Sequence, residues 1–415
     1  MNHHTQTNEH SRSNMAELPY YIPVDEALDI VNAYPLPTRT QLVDLDHASG
    51  RVLASELRST VNDPPFDNSS MDGFACHFDG HVVHDVYHVI GLVQAAKDEQ
   101  TFNVKSGEAV RIMTGAPLPE GCNAIIPIEQ TESIDDTTVR FLQAPKTNFV
   151  RYKGENIKQG DVGLAQGTYL GPAQLGMCAT MGYATVPVFE RFRIGILSTG
   201  DELKPPGEPL AYGEIYESNS FGLASLVQWL GHEAIRYPAV HDNKEALMAA
   251  LDIAAEECDL ILTSGGVSMG EFDHVRHVME ERGELKFWRV KIRPGSPPLF
   301  GFWNNTPIFG LPGNPVSSHV VFRMIVAPYV RSSLGSKYPI EQKARAKVRD
   351  SIKGTADCLT LRRVILQHTE EGYHAFQPKH QGSGNLDSLS AADGLTLLPP
   401  GHDPNIDEWI DVLVL

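Results

Sequence analysis

Three glycine-rich stretches decide the fold of this chain: Ser198-Thr199-Gly200-Asp201-Glu202, Ser264-Gly265-Gly266-Val267-Ser268 and Gly310-Leu311-Pro312-Gly313-Asn314-Pro315. Each follows an apolar run of strand length and stands where a helix is expected to begin. Strands at 193–197, 234–240 and 259–263 alternate with amphipathic helices, which predicts a doubly wound α/β sheet with right-handed crossovers. Ligands bind such sheets beyond the carboxyl ends of the strands. We therefore expect the three stretches to line one crevice.

The composition of these turns favours an anionic ligand and a metal. Glycines let a phosphate approach the main chain, whose free amides can donate to it. The expected binding residues are Ser198, Thr199, Gly200, Ser264, Gly265, Gly266, Ser268, Pro312, Gly313 and Asn314. Four carboxylates, those of Asp201, Glu202, Asp242 and Asp273, are expected to hold a divalent cation in the same crevice. The chain is therefore predicted to be an enzyme that acts on a phosphorylated or otherwise anionic small molecule.

The bulk properties of the chain restrict its partners and its compartment. Its 415 residues carry a formal net charge of −18, which repels nucleic acid and anionic lipid, so neither is an expected partner. An anion site must then be locally basic, and Arg289, Lys291 and Arg293 form one basic cluster. Five cysteines without a C-x-x-C pair are typical of a reducing, cytoplasmic protein. Residues 1–14 are polar and are expected to form a disordered leader, and the sequence contains no apolar run long enough to span a membrane.

Composition and spacing predict four domains. Residues 61–150 contain short apolar runs separated by turn signals, which is typical of a β-rich domain. We expect this domain to be inserted into an N-terminal helical and β linker domain made of residues 15–60 and 151–190. The α/β domain is expected at residues 191–338. Short strands in a polar background predict a small C-terminal β-barrel at residues 339–415.

The other polar motifs are weaker predictors when each is taken alone. They are Arg293-Pro294-Gly295-Ser296-Pro297, the loops at 68–74, 113–117 and 154–157, the Arg362-Arg363 pair and His380-Gln381-Gly382-Ser383. An arginine on a proline-framed turn suits an oxyanion, but a solvated strand end is the better explanation of this turn when it is taken alone. The loops are typical of turns, and strand arginines usually lie at the surface. The residues alone do not predict a site here.

Taken together, these strings resemble the molybdopterin molybdenumtransferase family, to which MoeA belongs and which the E domain of gephyrin resembles. The resemblance runs from about residue 17 to the C-terminus. It is most specific at 65–73, 111–117, 264–270 and 310–317. It implies a multidomain protomer in an elongated homodimer. Each site would lie between the α/β domain of one chain and the β-rich insert of its mate.

The resemblance also implies a reaction and a role for each matching residue. The implied substrates are adenylylated molybdopterin and molybdate, the cofactor is Mg²⁺, and the products are AMP and molybdenum-loaded molybdopterin. Catalytic roles are implied for Asp72, Thr114, Glu202, Asp242 and Asp273, with Asp72 and Thr114 supplied by the partner chain. Molybdate is expected at Arg293, Arg362 and Ser383. The implied partners, besides a second copy, are molybdopterin adenylyltransferase and molybdoenzyme maturation proteins.

The chain departs from the family pattern at two positions. Where the family has a Lys-Pro-Gly-Lys turn, this chain has Arg293-Pro294-Gly295-Ser296, which removes one cation. Asn156 stands at the acidic position of the family's Gly-Glu-Asp-Ile loop. Two alternatives therefore stay open. One is a degenerate paralogue that binds molybdopterin or a partner protein as a carrier or scaffold without full catalysis, and the other is an enzyme that uses another oxyanion, such as tungstate.

Overall fold

The computed structural model describes residues 18–80, 86–95, 101–267 and 273–415. The leader expected at residues 1–14 and the predicted binding residue Ser268 lie outside these ranges. As far as it is described, the chain forms two compact units, one of Met1–Thr40 with Phe189–Leu415 and one of Gln41–Val188. Within the described ranges, none of the helices has the length and apolarity needed to cross a bilayer. The finer domain boundaries given above remain predictions.

The first unit begins with a strand and a helix, β1 (Tyr20–Ile22) and α1 (Val24–Asn32). β1 pairs in parallel with the strand Glu284–Val290. These N-terminal residues therefore lie with the α/β sheet and not with the linker domain in which they were expected. Helix α1 buries Val24, Ala27 and Val31, whose spacing of three and four residues gives the helix one apolar face.

The second unit is mostly β-structure. Its elements are β2 (Thr40–Asp44), β3 (Leu57–Arg58), β4 (Asn68–Ser69), β5 (Gly73–Cys76), β6 (Val86–Val93), β7 (Glu108–Ile112), β8 (Ala124–Pro127), β9 (Thr131–Asp135), β10 (Thr138–Phe141), β11 (Val150–Arg151), β12 (Val162–Leu164), α2 (Pro172–Thr180) and β13 (Thr185–Phe189). Six strands form a sheet in the order β8-β5-β7-β6-β10-β9. Both faces of the sheet are buried at β5, since Ala75 belongs to one apolar cluster and its neighbour Phe74 to another. The remaining strands pair two by two, as β2–β13, β3–β12 and β4–β11.

The α/β part of the first unit follows. Its elements are β14 (Arg193–Ser198), β15 (Leu203–Lys204), β16 (Ile215–Tyr216), α3 (Asn219–Trp229), β17 (Glu233–Arg236), α4 (Lys244–Glu257), β18 (Leu260–Ser264), α5 (His274–Glu281), β19 (Glu284–Val290), β20 (Ile292–Arg293), β21 (Leu299–Trp303), β22 (Thr306–Leu311), α6 (Pro315–Val321) and α7 (Ala327–Ser333). A π-helical segment, Phe322–Val326, joins α6 to α7.

The seven-stranded sheet has the order β1-β19-β21-β22-β18-β14-β17. Strands β22, β18, β14 and β17 are parallel, which confirms the predicted α/β architecture. Strand β21 runs antiparallel to both β19 and β22, because these three strands follow one another without an intervening helix.

Helices cover both faces of this sheet. Leu299 and Ile308 pack in a cluster with residues of α4 and α5. The next residue in each strand, Phe300 or Phe309, points the other way and contacts Tyr329 of α7. The core is thus a sheet between two helical layers.

One expectation for the first glycine turn is wrong. A helix was expected to begin directly after Glu202, but the chain first forms the β15–β16 pair, and helix α3 begins only at Asn219. The intervening Pro205-Pro206-Gly207 explains the delay. The prolines supply no amide donors and Gly207 has a φ of 97°, so a helix cannot propagate there.

The C-terminal part of the first unit contains β23 (Lys343–Val348), β24 (Leu359–Thr360), β25 (Arg363–Thr369), β26 (Gly372–Phe376), α8 (Leu386–Ser390), β27 (Gly394–Thr396) and β28 (Trp409–Val414). Five of these strands close into a barrel in the order β23-β26-β25-β27-β28. This confirms the predicted C-terminal β-barrel. The short strand β24 stays outside the barrel and pairs in parallel with β20.

Candidate active site

The three glycine turns meet at one edge of the sheet. Strands β14, β18 and β22 are direct neighbours, with Ser198 opposite Ser264 and Ser264 opposite Leu311. The turns are also bonded to the adjacent strand ends, because the Thr199 amide donates to the Ser264 carbonyl at 3.1 Å and the Gly265 amide to the Leu311 carbonyl at 3.0 Å. The predicted convergence of the turns is therefore confirmed.

Backbone conformation explains the paired glycines of the middle turn. Gly265 and Gly266 have φ values of 102° and 67°, which side chains disfavour. A Cβ at Gly265 would also lie 2.9 Å from Thr199 Oγ1. However, the Gly265 amide is already used by Leu311, and the Gly200 amide donates to the Val240 carbonyl at 3.2 Å. These two amides do not face a ligand, so the expectation that free amides line the crevice is wrong at both positions.

The turns line a cleft of about 1150 Å³ that is confined to the first unit. The predicted site residues that line it are Ser198, Thr199, Glu202, Asp242, Ser264, Gly265, Gly266, Asp273, Arg293, Pro312, Gly313, Asn314, Arg362 and Ser383. Gly200 and Asp201 are not among its described lining residues. The Asp201 side chain is instead 67% exposed and bonded to His241.

One end of the cleft is acidic. Burial raises the pKa of Asp242, and repulsion from Glu202 and Asp201 raises it further. Asp201 behaves in the opposite way, because His241 Nδ1 donates to its Oδ1 at 2.9 Å and the Asp242 amide donates to it at 3.2 Å, and these bonds lower its pKa. The carboxylates are close enough to repel one another, so a cation would stabilise this end.

The other end of the cleft is basic and begins at the Arg293 turn. The Ser296 side chain is 2% exposed, and its hydroxyl donates to the Ile292 carbonyl at 2.7 Å. That hydroxyl stabilises the turn itself. Arg293 is joined to the barrel segment, because its carbonyl accepts from the Leu361 amide at 2.7 Å. Arg293 is thus fixed beside the C-terminal part of the unit.

Two adjacent arginines follow on the barrel side. Arg362 donates from Nε to the Lys353 carbonyl at 2.9 Å and is half-buried. Arg363 is 2% exposed and donates from Nη2 to the carbonyls of His380 and Gly382 at 3.3 and 3.1 Å. Burial and the neighbouring Arg362 lower the pKa of Arg363, and its Nε has no hydrogen-bond partner within the described ranges. A nearly buried guanidinium bonded to neutral carbonyls would be stabilised by an anion in the cleft.

The third glycine turn is bonded to the loop that carries Ser383. Asn314 Nδ2 donates to Ser383 Oγ at 3.0 Å, and the Val316 amide donates to the Ser383 carbonyl at 3.2 Å. Asn314 and Ser383 were predicted as binding residues on separate grounds. The structure brings them together between the glycine turns and the arginines.

Family comparisons agree with this geometry. Three family models match the chain: the MoeA N-terminal region (domain I and II) at residues 22–182, a probable molybdopterin binding domain at residues 195–332, and the MoeA C-terminal region (domain IV) at residues 345–415. The chain belongs to the molybdopterin molybdenumtransferase (MoeA) family. The middle match covers the sheet whose strand ends line the cleft, and the last match covers the barrel.

Individual MoeA proteins are similar over most of the chain. The molybdopterin molybdenumtransferase of Haemophilus influenzae is 40% identical over 310 residues, which cover 73% of this chain and 75% of that protein. Molybdopterin molybdenumtransferase 2 of Mycobacterium tuberculosis is 35% identical over 367 residues, covering 86% and 90%. A crystal structure of the molybdopterin biosynthesis MoeA protein from Pyrococcus horikoshii has a TM-score of 0.81 at 28% identity and covers 95% of this chain and 100% of that one.

The second unit of this MoeA protein contains the other two predicted catalytic residues. The Thr114 amide and hydroxyl both donate to Asp72 Oδ1, at 2.6 and 2.8 Å, and these bonds lower the pKa of Asp72. Asn156, in the same unit, donates from Nδ2 to Asp63 Oδ2 at 2.9 Å. An aspartate at position 156 would place its carboxylate beside that of Asp63. The asparagine donates a hydrogen bond to Asp63 instead, so this departure from the family pattern suits the neighbouring side chain.

Three residues that organise the cleft wall are not among the predicted site residues, although Arg363 belongs to one of the weaker motifs. Arg363 is described above. Glu217 is buried, and its carboxylate accepts from Ser198 Oγ at 2.9 Å. Asn219, the first residue of α3, contacts the second and third turns and has a buried Oδ1 without a partner within the described ranges. Both Glu217 and Asn219 follow the β15–β16 pair. Because the helix was expected to begin directly after Glu202, these two residues were not expected near the strand ends.

The acidic end suits a magnesium ion that shares its ligands with a substrate. In the described part of the chain, no three histidine, cysteine or carboxylate groups already stand close enough to enclose a metal. Mg²⁺ usually binds one or two carboxylates together with substrate phosphates. Glu202, Asp242 and Asp273 all line the cleft, and the raised pKa of Asp242 reflects mutual repulsion as well as burial. The donor set therefore fits this kind of shared site.

Proposed function

We propose that this protein transfers molybdenum from molybdate to adenylylated molybdopterin and releases AMP, with the help of Mg²⁺. The observation that carries the proposal is a single cleft with carboxylates at one end, arginines at the other and glycine turns between them. A substrate with a nucleotide phosphate and an oxyanion needs both ends at once. Family membership and the names of the relatives support the molybdopterin part of the proposal.

At the acidic end, Glu202, Asp242 and Asp273 would hold the Mg²⁺, which would polarise the phosphoanhydride and offset charge on the leaving phosphate. The glycine turns would orient the nucleotide-linked pterin, with Ser198, Thr199 and Ser264 as hydrogen-bonding side chains. Asn314 and Gly313 would complete that wall. At this end the protein would position the phosphate beside the carboxylates that hold the Mg²⁺. Those carboxylates would repel the phosphate if the cation did not lie between them.

At the basic end, molybdate would bind between Arg293, Arg362, Arg363 and Ser383. Guanidinium groups present paired donors that match the oxygens of an oxyanion. Arg363 bears on the choice between an enzyme and a degenerate carrier. The cation absent at Ser296 is offset by the nearly buried guanidinium of Arg363, which lines the same cleft, and this favours the enzyme.

We further propose that the protein works as a cytoplasmic homodimer in which Asp72 and Thr114 of one chain complete the cleft of the other. The exposed Asp72 carboxylate is held by two bonds from Thr114. This leaves a fixed negative group suited to a substrate from outside its own unit. Asp201 is proposed as an outer ligand of the Mg²⁺ through water.

The test is an assay of the purified full chain with adenylylated molybdopterin, Mg²⁺ and molybdate, in which AMP release and molybdenum incorporation are both measured. We expect both products, a dependence on Mg²⁺, and loss of AMP release in Asp273→Asn without a change of oligomeric state by gel filtration. Binding of molybdopterin without AMP release would support the carrier instead. Normal turnover in Asp273→Asn would overturn the metal assignment.

A further inference from the structure

A second cleft of about 1050 Å³ lies in the first unit between α1, the long α6–α7 helix and the barrel. Its walls are largely aliphatic and include Leu28 of α1, Met324 of the π-helical segment and Leu413 of β28. A concave site of this size with apolar walls and a few polar groups is the usual form of a small-molecule site. None of the roles proposed above uses this cleft.

Two of its lining residues are nearly buried arginines that share one carboxylate. Arg323 and Arg331 are each 8% exposed. Arg323 Nη2 lies 2.6 Å from Glu341 Oε2, and Arg331 Nη2 lies 3.6 Å from Glu341 Oε1. This triad carries one net positive charge in a poorly solvated place. A buried charge without a full partner is costly, and a bound anion would offset it.

An unpartnered donor in the triad points to the same conclusion. Arg323 Nε is buried and has no hydrogen-bond partner among the described residues. Burial lowers the pKa of Arg331, while Glu341 acts in the opposite direction. Arg331 also donates to the carbonyls of Ala327 and Pro339. The Arg323 and Arg331 guanidinium groups lie 5.2 and 5.8 Å from the centre of the Trp229 ring. The donor that these partners leave unsatisfied is therefore that of Arg323.

The backbone at Arg323 is unusual as well. Arg323 and Met324 both lie in the π-helical segment Phe322–Val326. Such segments occur often at functional sites, because the wider turn moves side chains off the regular helix face. At the rim of the cleft, the lysines Lys291, Lys337 and Lys343 outnumber Asp25 and Asp357 among the described lining residues. The surroundings therefore also favour an anion, against the overall charge of the chain.

The geometry points to a binding site for a small aliphatic monocarboxylate. Its carboxylate would bond to Arg323 and Arg331, and its chain would pack against Leu28, Met324 and Leu413. One negative charge matches the net charge of the triad, and an aliphatic body matches the walls. The inference concerns a different cleft from the proposed active site, so it does not depend on the proposed function.

The test is calorimetric titration of the full chain with decanoate below its micelle concentration, with decan-1-ol and decylammonium as comparators. We expect one decanoate per chain, bound more tightly than either comparator by roughly tenfold, as for a charge-assisted hydrogen bond. Equal binding of decan-1-ol would overturn the site as an anion site. Displacement of decanoate by AMP or molybdate would place it in the first cleft and would also overturn the proposal.

Variants make the test specific. Glu341→Gln removes the competing carboxylate, so decanoate should bind about tenfold more tightly. Arg323→Gln should weaken it by a similar factor, and Arg345→Gln, whose side chain is 69% exposed on the barrel surface, should leave binding unchanged. Structural damage cannot produce the tighter binding expected for Glu341→Gln. Weaker or unchanged binding in that variant, with a melting curve like that of the parent protein, would refute the proposal.

Discussion

The side-chain nitrogen of Asn219 lies 2.6 Å from the carbonyl oxygen of Gly313 and donates a hydrogen bond to it. The same nitrogen donates to Ser264 Oγ at 2.8 Å. One amide thus joins the second glycine turn to the third. The Asn219 side-chain oxygen is buried and has no partner among the described residues, so the contacts of this side chain with the two turns are made by its nitrogen.

Replacing Asn219 with alanine should therefore lower the rate of AMP release while the protein stays folded. Loss of the two hydrogen bonds that join the second and third turns is expected to lower kcat/KM for AMP release about tenfold or more. Gln228→Ala, on the exposed side of the same helix, should leave kcat/KM unchanged. An Asn219→Ala variant with the parent melting temperature and full AMP release would show that the bridge has no role in catalysis.

Arg362 and Arg363 should differ in their effect on molybdate. Arg363→Gln is expected to raise the molybdate concentration for half-maximal AMP release by about tenfold or more, because this guanidinium is buried beside the cleft. Arg362→Gln should have a smaller effect, since Arg362 is half-buried and bonded to the Lys353 carbonyl. AMP binding, measured by calorimetry, should change little in either.

The substitution Arg363→Lys provides the control for folding, because it keeps the positive charge but loses the forked donors. This variant should lie between the parent protein and Arg363→Gln in its molybdate requirement. Equal effects of all three substitutions on AMP and on molybdate would contradict the assignment of these arginines to the oxyanion.

Ser296→Lys should not repair the departure at the Arg293 turn. Ser296 is 2% exposed and bonded to the Ile292 carbonyl, so a lysine there is expected to lower the free energy of unfolding by about 1–3 kcal/mol. Ser296→Ala, which only removes the hydroxyl, should cost about 1 kcal/mol. Urea denaturation measures both. If Ser296→Lys were fully stable and raised molybdenum insertion from nothing, the carrier alternative would be correct for the parent chain.

The pKa of Asp242 predicts how stability changes with pH. Burial and the nearby carboxylates raise the pKa of Asp242 above its usual value of 3.8, so the folded state binds a proton at Asp242 more readily than the unfolded state does. The stabilisation is complete below pH 3.8 and is lost as pH rises through the folded-state pKa. Asp242→Asn should therefore be more stable than the parent protein at neutral pH, by less than about 1 kcal/mol because water screens a partly exposed charge.

Asp201 provides a control of opposite sign. Its pKa is lowered by bonds from His241 and the Asp242 amide, so its contribution is present at neutral pH and is lost as pH falls through the folded-state pKa. Thermal unfolding between about pH 3 and pH 8 should show Asp201→Asn less stable than the parent at neutral pH. The Asp242 account would be wrong if Asp242→Asn were the less stable variant at neutral pH.

The sequence predicted the parallel part of the sheet because each glycine turn marks the end of a buried strand. It did not predict β1, since three residues carry too little periodicity to be recognised, and their pairing with β19 depends on residues far along the chain. The strands β19, β21 and β22 were predicted as strands. Their relative direction follows only from the absence of helices between them.

Side-chain direction limited the prediction of the site. Asp201 and Glu202 are adjacent in one turn, yet Glu202 lines the cleft while Asp201 is bonded to His241. Arg363 and Val364 are neighbours in the chain and are both buried. Inward and outward side chains therefore do not alternate here, and the strand pattern could not predict which of Arg362 and Arg363 is buried. Such choices depend on the tertiary partners of each side chain, which local sequence does not contain.

The pairing of β20 with β24 limits how the cleft can move. Arg293 lies opposite Thr360, two residues before Arg362, and its carbonyl accepts from the Leu361 amide. Any hinge motion of the barrel would carry the Arg293 turn with it and preserve the spacing between these cations.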